Sequence, residues 1–153
     1  MDACHVLTER CRVRFDPEGD DLYAVIETLA DAAVAGGLLP QTGRDEAVQA
    51  VLKREQSGST VLSDGIAFPH GRTAVVSQLA SVLGVFRDGR QTTDPSSGAA
   101  IWLVALIFVP LQGAGNGHIH FLATLSKRLI KPDVVALLRT ATREADVLAA
   151  LFV

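Results

Sequence analysis

The histidines are His5, His70, His118 and His120, and two of them, His70 and His118, stand at the ends of expected elements beside glycine-bearing segments. Such places present side chains to solvent or ligand. A neutral imidazole nitrogen is a nucleophile near pH 7 because its pKa lies close by, and a second histidine or an arginine next to it stabilises phosphoryl charge. A helix N-terminus adds unpaired backbone donors for the same purpose. Phosphate chemistry is therefore the class this pair suits. A hydrolase using His70 and His118 as acid and base is a poorer fit, because the chain has no HExxH, GxSxG or P-loop pattern. Cys4 and Cys11 are the only cysteines, and no histidine doublet completes a zinc-like set with them. No metal and no cofactor is expected, and the thiols read as reduced and structurally minor.

The local sequence explains how these residues are displayed. Before His70, Gly65 and Gly71 bracket the short apolar piece Ile66-Ala67-Phe68-Pro69. Pro69 fixes its own φ and has no N–H for a sheet ladder, so His70 falls at a strand end or turn. Before His118, residues 112–117 form a glycine-rich flexible loop, and from Ile119 the residues Leu122, Leu125 and Leu129 lie along one helical face. Lys127 and Arg128 suit the last turn of that helix and Lys131-Pro132 its end, which puts His118 at its N-terminus.

Around these lie the supporting elements. A first helix starts at Asp20 with Leu22, Val25, Ile26 and Leu29 at helical spacing and stops at Gly36-Gly37. A second runs between Arg44 and Gln56 with Arg54 in its last turn. Leu79, Ser81, Leu83 and Val85 mark one face of a strand ending at Phe86, and residues 87–98 read as a polar loop long enough to be mobile. Residues 101–109 read as a central strand buried on both sides. Val134, Val135, Leu137 and Leu138 begin another helix, and residues 145–152 form a last short one. Helices interleaved with two or three strands predict a single layered α/β domain over residues 1–153, a mixed sheet flanked by helices on both faces.

Composition agrees with a folded protein: 48% of the 153 residues are hydrophobic and 20% charged, far from the signature of disorder. The net charge of −3 repels a nucleic-acid backbone. The longest apolar run, residues 99–111, contains Pro110 and is shorter than the roughly 20 residues that span a bilayer. The N-terminus carries Asp2, Glu9 and Arg10 where a signal peptide would be apolar, so a cytoplasmic location is expected.

The stretch from Arg54-Glu55-Gln56-Ser57-Gly58-Ser59-Thr60 to Asp64-Gly65-Ile66-Ala67-Phe68-Pro69-His70-Gly71 resembles the enzyme IIA class of the bacterial phosphotransferase system that serves fructose, mannitol and nitrogen-related branches. The resemblance continues through Leu83-Gly84-Val85-Phe86, Val109-Pro110 and the helix opened by His118-Ile119-His120, over about residues 15–152. It implies that His70 is phosphorylated and that His118 lies beside it. His120 is two residues further on, about 200° around the helix, and is not the partner. Arg54 matches an arginine close to the active histidine in relatives. Its own position equally suits a helix-end arginine, or a pair with Glu55 or Asp64. Ser59 reads as a turn cap, while Thr60 is open between capping and donating its hydroxyl to phosphate. Residues 92–100 depart from the family's pattern of an acidic turn and a Pro-Val step.

The resemblance further implies a carrier that takes phosphate from the histidine-containing phosphocarrier protein, with no cofactor. The output is a regulatory target protein or a sugar permease domain, and the membrane is met only through a permease. The nitrogen-related branch is the nearest match, and the chain ends at Phe152-Val153 without an attached sugar-selective domain, which favours a free-standing regulator. A IIA component of sugar uptake, and a regulatory binding module that is not phosphorylated, are the alternatives.

Overall fold

The computed structural model describes residues 9–62, 64–111 and 117–152. Strand β7 (Leu103–Pro110) lies in the middle of the sheet and is apolar and buried at every position. It pairs antiparallel with β4 (Ala80–Val85) and in parallel with two short strands, β2 (Ile66–Ala67) and β3 (His70–Thr73). Strand β1 (Cys11–Phe15) runs parallel to the far side of β4. The order is β1-β4-β7-β2, with β3 also on β7.

Alternation along these strands builds two cores. Val82, Val104, Leu106 and Phe108 pack with helices α1 (Leu22–Ala35) and α2 (Arg44–Ser57). Leu83, Val85, Leu103, Ala105, Ile107 and Val109 pack on the other face with α3 (Gly117–Leu129), α4 (Pro132–Thr140) and α5 (Glu144–Phe152). The fold is thus the expected mixed sheet with helices on both faces. Each large side chain fully buried this way contributes about 1.5–3 kcal/mol. All of β4 is buried, and the one hydroxyl this encloses, Ser81 Oγ, donates to the Leu106 carbonyl at 2.8 Å.

The helices follow their local signals. Asp21 caps α1 by accepting from the Ala24 N–H at 3.0 Å, and Gly36 closes it. In α2 the acidic Asp45 and Glu46 sit in the first turn and Arg54 in the last. Pro132 begins α4, where its missing N–H costs nothing.

More strands are present than the two or three expected. β1 lies outside the expectation, although Cys11, Val13 and Phe15 alternate with Arg12 and Arg14 as a strand would. Within the stretch expected to be a loop, β5 (Thr92–Thr93) pairs antiparallel with β6 (Ala100–Ile101), so residues 87–98 are not wholly loop. The buried run is also divided, because Ile101 belongs to β6 and the Trp102 N–H bonds to the Gly65 carbonyl before β7 begins. Two-residue strands are too short for any periodicity to show. Cys11 is buried in β1, and burial pushes its thiol up to about 12, so it stays protonated. Cys4, His5 and the glycine-rich segment 112–116 lie outside the described residues. No helix among the described residues is long and apolar enough to cross a membrane.

Candidate functional site

Strand β3 begins at His70, and its alternation decides what the site contains. His70 is in register with Ile107 and Arg72 with Val109, so both side chains share the sheet face covered by α3. Gly71, between them, faces α2, and a Cβ there would stand 2.7 Å from the Val51 backbone nitrogen. Glycine is therefore needed for α2 and β3 to approach this closely. His70 itself is half-buried at a strand head, less open than a loop residue.

The His70 ring is held. Its Nδ1 lies 2.9 Å from the Phe68 carbonyl oxygen, and because a carbonyl only accepts, Nδ1 carries the proton and donates. The lone pair is then on Nε2. His118, in the first turn of α3, stacks on this ring with 6.2 Å between centroids and 23° between planes. Phe121, Leu125 and Leu129 anchor that helix in the second core, which fixes where its head points. His118 Nδ1 is buried with no hydrogen-bond partner among the described residues. Burial, then the Arg72 guanidinium and then His70 hold His118 below the usual histidine pKa and keep it neutral.

Arg54 and Thr60 are placed differently. Arg54 is exposed, and its Nη1 donates to the Gly58 carbonyl at 2.9 Å, the helix-end arrangement. Thr60 Oγ1 donates to Glu55 Oε1 at 2.7 Å and accepts from the Phe68 N–H at 3.2 Å, while the Thr60 N–H bonds to the same carboxylate. Its one hydroxyl proton is therefore committed to Glu55. Ser59 donates to Asp94 at 2.9 Å and accepts from the Val61 N–H at 3.2 Å. His120 is exposed on α3, and among the described residues no ring contact joins it to His70.

With this geometry in view, comparison with known proteins is informative. Residues 6–152 match the family model described as "Phosphoenolpyruvate-dependent sugar phosphotransferase system, EIIA 2". The chain belongs to this family. Among its relatives, the 2-O-alpha-mannosyl-D-glycerate-specific EIIABC component of Escherichia coli is 30% identical over 90% of this chain, which spans 20% of that longer protein. The nitrogen regulatory protein of Bradyrhizobium diazoefficiens is 33% identical over 69% of this chain and 68% of its own length. Among solved structures, enzyme IIAMTL in its complex with phosphorylated enzyme IIBMTL from Escherichia coli superimposes with a TM-score of 0.67 at 25% identity, covering 94% of each chain.

In this phosphotransferase IIA chain, Arg72 and Glu55 are joined to the histidine pair, and neither was given a role in it from the sequence. Arg72 was legible in principle, since a strand headed by His70 repeats its face at the second residue. Glu55 is only 4% exposed, and burial, against the Thr60 hydrogen bonds, raises its carboxyl pKa. Its spacing carries the signal, because Glu55 follows Val48 and Val51 on the buried face of α2.

Proposed function

We propose that the chain is a phosphohistidine carrier in which His70 Nε2 takes a phosphoryl group from a histidine-containing phosphocarrier protein. The observation that carries this reading is the hydrogen bond from His70 Nδ1 to Phe68, which leaves Nε2 as the only basic nitrogen of a ring stacked on a second histidine. In the transfer, the donor's N–P bond breaks as the His70 Nε2–P bond forms, and the donor nitrogen keeps the electron pair. The ring becomes an imidazolium substituted at Nε2, with its Nδ1–H still on the carbonyl. His118, held neutral, donates its ring N–H to a phosphoryl oxygen, and Arg72 supplies the positive charge. Arg54 and Thr60 support the site from its border.

We read the chain as one IIA domain, which the family match over residues 6–152 supports, and place its action in the cytoplasm. We read the output as regulation of a target protein, in line with the nitrogen regulatory relative. The sugar-specific relative supports a second reading, passage of the phosphoryl group to a permease domain, and only through such a permease would the chain meet the membrane. The test is incubation with phosphoenolpyruvate labelled with 32P and the general phosphotransferase proteins. Acid-labile label on the wild type and none on His70→Ala is expected. Label that persists in His70→Ala contradicts the assignment.

A further inference from the structure

Glu55 and Thr60 form one end of a chain of hydrogen bonds whose other end is the reacting ring. The Glu55 carboxylate accepts from Thr60 Oγ1 at 2.7 Å and from the Thr60 N–H at 3.0 Å. Thr60 Oγ1 then accepts from the Phe68 N–H at 3.2 Å, and the Phe68 carbonyl accepts from His70 Nδ1 at 2.9 Å. Residue 68 is thus bonded on both of its backbone groups, one toward Glu55 and one toward His70. Pro69 follows with no N–H of its own, while its carbonyl takes the Ile107 N–H at 3.0 Å.

The segment that brings Thr60 to this place is pinned from two sides. Glu55 is buried at the end of α2 and close to Asp94. Asp94 is itself buried and takes the Ser59 hydroxyl at 2.9 Å. A buried carboxylate that accepts its neighbour's N–H and O–H fixes that neighbour's backbone and rotamer together. The hydroxyl of Thr60 then has one donor direction and one acceptor direction, and both are used.

We infer that Glu55 and Thr60 are positioning residues for phosphoryl transfer: through the backbone of Phe68 they hold His70 in the Nδ1–H tautomer, so that Nε2 alone attacks. This rests on the reading of His70 as the acceptor. It assigns Thr60 a role that needs no contact with phosphate, and it gives the buried Glu55 a place in the chemistry. Around metal-bound histidines, loss of the group that orients the ring lowers activity by about 10–100-fold, and the same scale is expected here.

The test uses the whole chain with phosphoramidate, a small donor that needs no docking surface. Nε2 attacks phosphorus, the P–N bond to the amine breaks, and the amine leaves as ammonia. Wild type, Thr60→Val, Thr60→Ser and Glu55→Gln are compared by 15N NMR of the His70 ring and by 31P NMR of the phosphohistidine isomer. In wild type, Nδ1–H and the Nε2 phosphoisomer are expected alone. Thr60→Val should mix the tautomers, yield some Nδ1 isomer and label at least about tenfold more slowly. Thr60→Ser should restore wild-type behaviour, and Glu55→Gln should fall between. Wild-type tautomer and isomer in both Thr60→Val and Glu55→Gln overturn the inference. Should Thr60→Val not fold, Glu55→Gln alone decides by the same spectra. Label that survives in His70→Ala instead overturns the acceptor assignment, a separate result.

Discussion

Gly71 meets the backbone of Val51 so closely that a Cβ added to it would lie 2.7 Å from the Val51 nitrogen. This contact sets the distance between α2, whose end carries Glu55, and β3, whose head is His70. Gly71→Ala should therefore lower stability by about 1–3 kcal/mol, the range for overpacking a filled site. Urea denaturation of the two forms measures this. The same substitution should slow labelling of His70, since the strand can relax only by moving away from α2. An unchanged unfolding midpoint would show that this approach is not tight in solution.

Arg72 is exposed and shares a face with His70, and its charge is one of the influences that hold His118 below the usual histidine pKa. Arg72→Gln should raise the His118 pKa, which an NMR titration of the ring reads directly. It should also slow phosphoryl transfer by about tenfold or more, because a positive charge on the face that carries His70 is lost. Arg72→Lys should keep much of both effects. A His118 titration that does not respond to Arg72→Gln would separate the two residues.

His118 also makes stability depend on pH. Its folded pKa lies below the ordinary value of 6.5, so below that value the unfolded chain binds a proton that the folded chain resists. The stability from neutral His118 is present above pH 6.5 and is lost as pH falls from there toward the folded pKa. His118→Gln removes the titrating group and should flatten this part of the profile, measured by denaturation between pH 5 and 8. A wild-type and a variant curve of equal slope would contradict the burial of the ring.

Asp94 is 3% exposed and accepts from Ser59, Ser96 and Ser97, with Ser96 donating through both its N–H and its hydroxyl. Burial alone would raise its pKa, but these donors, led by the Ser96 N–H, take it below the usual carboxylate value. Asp94→Asn brings an amide into an arrangement built of donors and should cost about 2 kcal/mol near neutral pH. In wild type this stability is present above the unfolded aspartate pKa and is lost as pH falls through the folded one. Denaturation of Asp94→Asn at pH 7 and pH 3 checks both: the difference from wild type should be large at pH 7 and shrink at pH 3.

The elements with several turns or several alternating residues were legible in the sequence. Asp21, Leu22, Val25, Ile26, Leu29 and Gly36 announce α1 by spacing and caps, and the unbroken apolar run announces β7. The pairs Ile66–Ala67, Thr92–Thr93 and Ala100–Ile101 could not be read, because a two-residue strand is made by its partner and not by its own pattern. Residues 87–98 read as mere loop for that reason, and because Asp94 looks like any turn aspartate until Ser59 is folded against it.

The site divides in the same way. The glycines around His70 and the helix opened by His118 mark both residues in the sequence, and the fold stacks their rings. Arg72 needed only the strand period. Thr60 was already a candidate from its stretch, but the link from Glu55 and Thr60 to His70 needed tertiary structure, since it passes through the backbone of Phe68, whose hydrogen bonds no side-chain pattern records.

Acceptance of phosphate on His70 Nε2 is read by 31P NMR of the chain after incubation with phosphoenolpyruvate and the general phosphotransferase proteins. One acid-labile phosphohistidine resonance of the Nε2 isomer, present in wild type and missing in His70→Ala, is the predicted result. A resonance of the Nδ1 isomer in wild type, or any phosphohistidine resonance in His70→Ala, would contradict it.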